Sequence, residues 1–251
     1  MPPIVSLKDI SKRFANGTEA VGGVSLAIRR GDFTSLLGPS GCGKSTVLRL
    51  IAGLTPPSGG TVAWTDARAS GGRPLGFVFQ EPTLMPWARV LDNVLLPLRL
   101  AGARGPKAEN QARAALARVG LEGFERSFPR QLSGGMKMRV SIARAVVTTP
   151  LLLLMDEPFA ALDEITRLKL NDDLLALWRQ QGFGAVFVTH SVFESVYLSN
   201  RILVMSPRPG RIAADFEIDA PYPRGAEFRL SPEYASHCAA VSAALAQAMA
   251  A

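Results

Sequence analysis

Nine consecutive residues, Gly38-Pro39-Ser40-Gly41-Cys42-Gly43-Lys44-Ser45-Thr46, bring backbone freedom, a fixed cation and two hydroxyls into one short stretch. Gly38, Gly41 and Gly43 can adopt backbone angles closed to other residues, so successive N–H groups can turn inward as an anion nest. A nest at the start of a helix also gains the positive end of the helix dipole. Lys44 then offers a charge to β- and γ-phosphates, the Ser45 hydroxyl is the expected Mg²⁺ ligand, and Thr46 adds a phosphate contact. The spacing G-x-x-x-x-G-K-[ST] therefore predicts a phosphate cradle. An ordinary glycine-rich turn shares the composition but not the strand and helix that flank this one.

Those flanks are legible. Phe33-Thr34-Ser35-Leu36-Leu37 reads as a buried strand, and Val47 to Ala52 as a helix stopping at Gly53. Ile4 to Ile10 and Val24 to Ile28 alternate apolar and polar residues as half-buried antiparallel strands do, and Phe14 closes the first of these regions. Thr61 to Trp64 and Phe77 to Phe79 are further short strands. From Glu81 to Pro150 the pattern turns helical, with helices over Val90 to Leu100, Lys107 to Val119 and Met136 to Val147. Leu151 to Met155 is a continuous apolar run of the kind covered on both faces, and so is Ala185 to Thr189. Leu168 to Trp178 has helical spacing. Arg201 to Met205 and Ile212 to Ile218 flank the turn Ser206-Pro207-Arg208-Pro209-Gly210 as a hairpin. Ser231-Pro232-Glu233 opens a terminal helix. The predicted class is α/β: a parallel-sheet core of the P-loop NTPase kind, with an N-terminal antiparallel β subdomain and an α-helical insertion at about 81–150. One domain over 1–230 is followed by a C-terminal helix over 231–251.

In open parallel sheets, ligands bind beyond the carboxyl ends of the strands. Four predicted strands end in apt chemistry: the phosphate loop, Gln80, the Asp156-Glu157 pair and His190. Together they propose one nucleotide site. In it Asp156 supports the Mg²⁺ shell, Glu157 polarises an attacking water, and His190 and Gln80 sense the γ-phosphate, with Gln80 also reaching the metal. Taken singly, Asp156-Glu157-Pro158 could cap a helix, His190 could be structural, and Gln80 could be a surface amide. Ser133-Gly134-Gly135 is a second potential nest, without its own strand or lysine. A plain helix N-cap would account for it. So would a head-to-tail pair of chains, each laying this turn over the other's γ-phosphate.

The totals set bounds. The 251 residues, 47% hydrophobic, suffice for one large α/β domain. Two cysteines, Cys42 and Cys238, make no disulfide framework and fit a reducing compartment. No basic-then-apolar leader opens the chain and no apolar run reaches the length of a membrane span. The net charge of +7 comes from arginines spread along the chain without interleaved aromatics, so a solvated basic surface is expected rather than nucleic-acid binding.

With these residues in place, the chain resembles the ATP-binding subunits of ABC transporters over nearly its whole length. The matching segments are the phosphate loop Gly38 to Thr46, Gln80, the signature Leu132-Ser133-Gly134-Gly135-Met136, the strand ending in Asp156 and Glu157, the D-loop Ala161-Leu162-Asp163, and His190. The resemblance implies ATP and Mg²⁺ as cofactors and ATP hydrolysis coupled to closure of a head-to-tail dimer. Glu157 would be the base, with Ser133, Gly134, Gly135 and Asp163 serving the partner's nucleotide. Phe14 stands where an aromatic, often Tyr, stacks on adenine. Met136 stands where Gln is common, and Lys137 and Met138 replace a frequent Arg-Gln. These departures are expected to tune the dimer interface.

Phe77 to Trp87 and Met205 to Ile212 look like the nitrate, sulfonate and taurine type of importer, with pyrimidine and thiamine-precursor importers similar. That implies integral membrane permease subunits, an indirect link to a solute-binding protein, and a peripheral position on the cytoplasmic face of the inner (plasma) membrane. Glu81 to Trp87 is the segment expected to meet the permease. The competing reading is a non-transport ABC ATPase acting on nucleic acid or ribosomes, for which the chain lacks a second nucleotide domain and a long coiled-coil insertion. A small-GTPase-like switch would leave Ser133 to Gly135 unexplained.

Overall fold

The computed structural model describes residues 2–65 and 75–250. Of the expected segments, only Met1, residues 66–74 and Ala251 lie outside the described residues. The chain forms two compact units, one of Met1–Pro74 with Gly182–Ala251 and the other of Leu75–Gln181.

In the first unit, β1 (Val5–Arg13) is the middle strand of an antiparallel sheet between β2 (Glu19–Ile28) and β4 (Gly59–Trp64). Its alternation is broken between Leu7 and Ile10 by a register shift, which keeps Val5, Leu7 and Ile10 buried together. β3 (Phe33–Leu37) and β7 (Gly184–Thr189) are buried at every residue and pair in parallel, Phe33 with Ala185 through to Leu37 with Thr189. β8 (Arg201–Met205) pairs in parallel on the other side of β3, and β9 (Ile212–Glu217) closes that edge as an antiparallel hairpin strand. β3, buried at every residue between β7 and β8, is an interior strand, and β9, whose exposure alternates, is an edge, as burial on two faces or one requires. α1 (Lys44–Ala52) ends at Gly53, whose φ of 72° lets its N–H close back on the Leu50 carbonyl.

In the second unit, β5 (Leu75–Val78) pairs in parallel with β6 (Leu152–Asp156), Leu75 opposite Leu152 and Val78 opposite Met155. Around them stand α2 (Val90–Leu100), α3 (Pro106–Arg118), a 3₁₀ turn at Pro129–Gln131, α4 (Gly134–Val146) and α5 (Glu164–Gln181). The predicted parallel and antiparallel sheets are thus both present, and the predicted helices are found to within a few residues. α5 is longer than predicted because Asp163, whose carboxylate accepts from the Thr166 N–H at 2.9 Å, starts it four residues before the apolar spacing begins.

Back in the first unit, α6 (Val192–Leu198), α7 (Ala226–Arg229) and α8 (Pro232–Ala250) complete the chain. Hydrophobic periodicity does not announce α6: its composition is that of a strand. The Ser191 hydroxyl accepts from the Glu194 N–H and sets a helix there instead. Cys42 and Cys238 are both buried.

Candidate functional site

In the first unit, parallel register fixes where the chemistry emerges. Leu37 stands opposite Thr189 and Val204, so the chain leaves β3, β7 and β8 at one end as Gly38, His190 and Ser206. Gly38 opens the loop that runs to Gly43, and Gly43 is the N-cap of α1 with φ 106° and no side-chain hydrogen bond to the helix. A side chain could not stand there: its first carbon would lie 2.5 Å from the Ala20 carbonyl oxygen. The helix start is therefore left without a serine or aspartate cap and with no acid in its first turn, the condition an anion site needs.

Lys44 is 4% exposed, and its ammonium donates to the carbonyls of Gly38 at 2.7 Å and Pro39 at 2.9 Å. The cation is thus held inside the loop's own curve, and Cys42 Sγ lies 4.0 Å from it. Ser40 and Gly41 are exposed, and Ser45 and Thr46 are half-buried on the first turn of α1. His190 is exposed at the end of β7. The segment behind it is pinned, since Thr189 Oγ1 donates to Glu194 at 2.6 Å and accepts from the Ser191 N–H at 3.0 Å. Phe14 stands in the turn between β1 and β2, 40% exposed, with the Lys12 ammonium 5.5 Å from its ring centre. An exposed ring of this kind keeps a π-face available for stacking.

The second unit carries the acids. Val78 pairs with Met155, so Gln80 and Glu157 leave β5 and β6 at the same end and level. Asp156 is 8% exposed. Glu157 adopts φ 45°, a left-handed conformation that costs a non-glycine residue about 1–3 kcal/mol. Buried Phe159 follows it and anchors the turn.

Ser133 is the N-cap of α4, its hydroxyl accepting from the Met136 N–H at 3.3 Å; Gly134 and Gly135 are the first helical residues, with Leu162 and Thr166 packed over them. The signature and the D-loop thus share one surface. The Asp163 carboxyl is held below the ordinary carboxylate range, chiefly by the N–H of Thr166.

Three further residues in these segments escape sequence reasoning. Arg144 on α4 donates to the carbonyls of Pro82 and Thr83 at 2.8 Å each and to Thr83 Oγ1 at 2.9 Å, binding the chain after Gln80 to the signature helix. Asn93, fully buried, accepts from the Met85 N–H at 2.7 Å and donates to the carbonyls of Met85, Ala88 and Arg89 at 3.1 to 3.3 Å. Between these anchors Trp87 is 77% exposed, which excludes ordinary core packing for it. Beside the segment, Leu75, Phe77, Phe79, Leu96, Pro97 and Leu100 line an apolar groove of about 360 Å³ with Arg144 at its edge. The third residue, Arg208, touches the phosphate loop from the β8–β9 turn. In all three the partners lie far along the chain or are backbone groups, which carry no sequence signal.

The ABC transporter family pattern matches residues 21–160. The aliphatic sulfonates import ATP-binding protein of Bacillus cereus is 41% identical over 88% of this chain and 88% of its own length. The taurine import ATP-binding protein of Rhizobium johnstonii is 46% identical over 82% and 79%. Among solved structures, a dimeric post-hydrolysis ATP-binding cassette bound to ADP and Pi superposes with TM-score 0.74 at 33% identity, covering 86% of this chain and all of that one. The match runs through the phosphate loop, the signature and the acidic strand end, and it shows that this chain belongs to the ABC transporter family, as an ATP-binding cassette ATPase.

Proposed function

We propose that the chain is the energy-coupling subunit of an importer for a small sulfonate-like solute, powered by ATP hydrolysis. The observation that carries the nucleotide part is a buried lysine held by the loop's carbonyls beside a helix start that no side chain caps. In this reading Gly38, Pro39, Ser40, Gly41, Cys42 and Gly43 wrap the phosphates with backbone N–H groups. Lys44 neutralises the β- and γ-phosphates, Thr46 adds a contact, and Phe14 stacks on adenine. Glu157 accepts a proton from the attacking water. His190 and Gln80 report the state of the γ-phosphate. A second copy laid head to tail supplies Ser133, Gly134, Gly135 and Asp163; that two copies pair is supported by the dimeric state of the ADP-bound relative.

Ser45, Asp156 and Gln80 are the residues that would hold Mg²⁺. Their donors are hard oxygens, which suit an ion that keeps several waters and takes the rest of its octahedron from phosphate. Such a site needs few protein ligands. The ion would neutralise charge developing on the phosphates.

Transport requires a path across the membrane, and among the described residues no helix is long and apolar enough to cross one. In this reading separate permease subunits form the path, a solute-binding protein delivers to them, and this chain sits on the cytoplasmic face. Trp87 and the groove over Phe77, Phe79 and Leu100 take an apolar cytoplasmic segment of the permease. The importer names of the relatives favour this over action on nucleic acid or ribosomes. Deleting the chain should abolish ATP-dependent uptake of taurine or of alkanesulfonates. Normal uptake of both would refute the solute class, and ATPase activity stimulated by nucleic acid would refute the transport role.

A further inference from the structure

The turn between β8 and β9, Ser206 to Arg211, has no part in the chemistry above, yet it backs onto the phosphate loop. The turn is closed on itself: the Ser206 N–H donates to the Arg211 carbonyl at 2.9 Å, and the Arg211 N–H donates to Ser206 Oγ at 3.2 Å. It is also tied to β2. The Gly210 N–H donates to the Ala20 carbonyl and the Gly22 N–H donates to the Gly210 carbonyl, each at 3.0 Å. Gly210 approaches the loop so closely that a side chain there would begin 2.0 Å from the Cys42 carbonyl oxygen. From this fixed base Arg208 reaches across, and its Nε and Nη2 converge on the Gly41 carbonyl at 3.2 and 3.0 Å.

That contact has a geometric consequence for the nest. A trans peptide sets its C=O and N–H on opposite sides. Drawing the Gly41 carbonyl outward to Arg208 therefore turns the Cys42 N–H inward, where it meets the Pro39 carbonyl at a long 3.4 Å. Pro39 is the same carbonyl that receives Lys44, so this N–H points to where the lysine's charge is held. A cation on the outer carbonyl also polarises the inner N–H and strengthens its bond to an anion.

We propose that Arg208 is a positioning residue for the phosphate grip: it clamps the Gly41–Cys42 peptide so that the Cys42 N–H faces the nucleotide's phosphates. The proposal rests on the reading of Gly38 to Thr46 as the ATP phosphate loop. Binding of ATP and of ADP to the full-length chain is measured by calorimetry for the wild type, Arg208→Ala, Arg208→Lys and Lys44→Ala, with thermal unfolding of each protein without nucleotide. Arg208→Ala weakens both nucleotides about three- to tenfold, the range of an ordinary hydrogen bond and below that of a bond to a charged group, because this one is exposed. Its nucleotide-free unfolding temperature stays within about 2 °C of wild type, since no buried contact is lost. Arg208→Lys recovers only part of the affinity, because an ammonium cannot reproduce two N–H groups converging from a planar fork.

Affinity of Arg208→Ala within about twofold of wild type, full recovery by Arg208→Lys, or a weakened affinity accompanied by an equally weakened fold overturns the clamp. Lys44→Ala separates the two levels: wild-type affinity there refutes the phosphate-loop reading itself, whereas weak binding by Lys44→Ala beside wild-type binding by Arg208→Ala refutes the clamp alone.

Discussion

Replacing Asn93 with Ala tests whether the loop that displays Trp87 is built rigid for a partner. Asn93 makes four side-chain bonds, but they are unequal. The Arg89 carbonyl already accepts the Asn93 backbone N–H at 2.9 Å, and the bonds to Met85 and Ala88 carbonyls are long at 3.2 and 3.3 Å. The bond from the Met85 N–H, at 2.7 Å, has the shortest geometry of the set. Counting that one in full and the two long ones at part value, and adding the cost of a buried N–H left without an acceptor, gives about 2–3 kcal/mol. For a chain of this size that is a fall of about 5–10 °C in unfolding temperature.

The same substitution leaves the phosphate loop untouched, so ATP affinity stays at the wild-type value. ATPase stimulation by the assembled permease should fall, because Trp87 is no longer held in one position. Differential scanning calorimetry with and without ATP, followed by ATPase assays on the assembled transporter, reads all three. A shift below about 2 °C, or unaltered stimulation by the permease, refutes the claim that Asn93 rigidifies the docking loop.

Trp87→Ala, by contrast, removes a side chain that is 77% exposed and should leave unfolding temperature within about 1 °C while lowering affinity for the permease, measured by co-purification of the assembled complex. Arg144→Ala frees the Pro82 and Thr83 carbonyls and should uncouple ATP turnover from uptake in vesicles, with ATP binding on the isolated chain preserved. At alkaline pH the fold should weaken in a defined window. Burial pushes the Tyr222 phenol from 10.0 up to about 12 and raises Tyr234 as well. The folded state therefore holds those protons more tightly than the unfolded one. That contribution is fully present below pH 10 and is lost as the pH climbs towards 12, and urea unfolding across that range would show a declining midpoint; a flat midpoint would contradict it.

The parts of this molecule that were legible in the sequence are those where one residue type can do only one thing. The phosphate loop announces itself because Gly, Lys and Ser occupy fixed offsets after an apolar strand, and the buried strands announce themselves because two-sided burial erases alternation. Gln80, Asp156 and His190 could be put at strand ends because each follows such a run directly. What stayed hidden depends on distance along the chain: Arg144 meets Thr83 across 61 positions and Arg208 meets Gly41 across 167. Both bind carbonyl oxygens, which every residue possesses. α6 was hidden for another reason, since Val192, Phe193, Val196 and Tyr197 favour a strand by propensity while Ser191 and the packing against β3 decide for a helix.

The central claim is that one ATP is held by Lys44 and hydrolysed through Glu157 only when a second copy closes over it. The most direct test is a structure of the Glu157→Gln chain assembled with its membrane subunits in ATP and Mg²⁺, paired with its turnover rate. The account predicts turnover lowered by about 10²- to 10⁴-fold, ATP still bound, and Lys44 facing Ser133 of the partner subunit across the γ-phosphate. Undiminished turnover, or ATP bound with no second copy over it, would contradict the account.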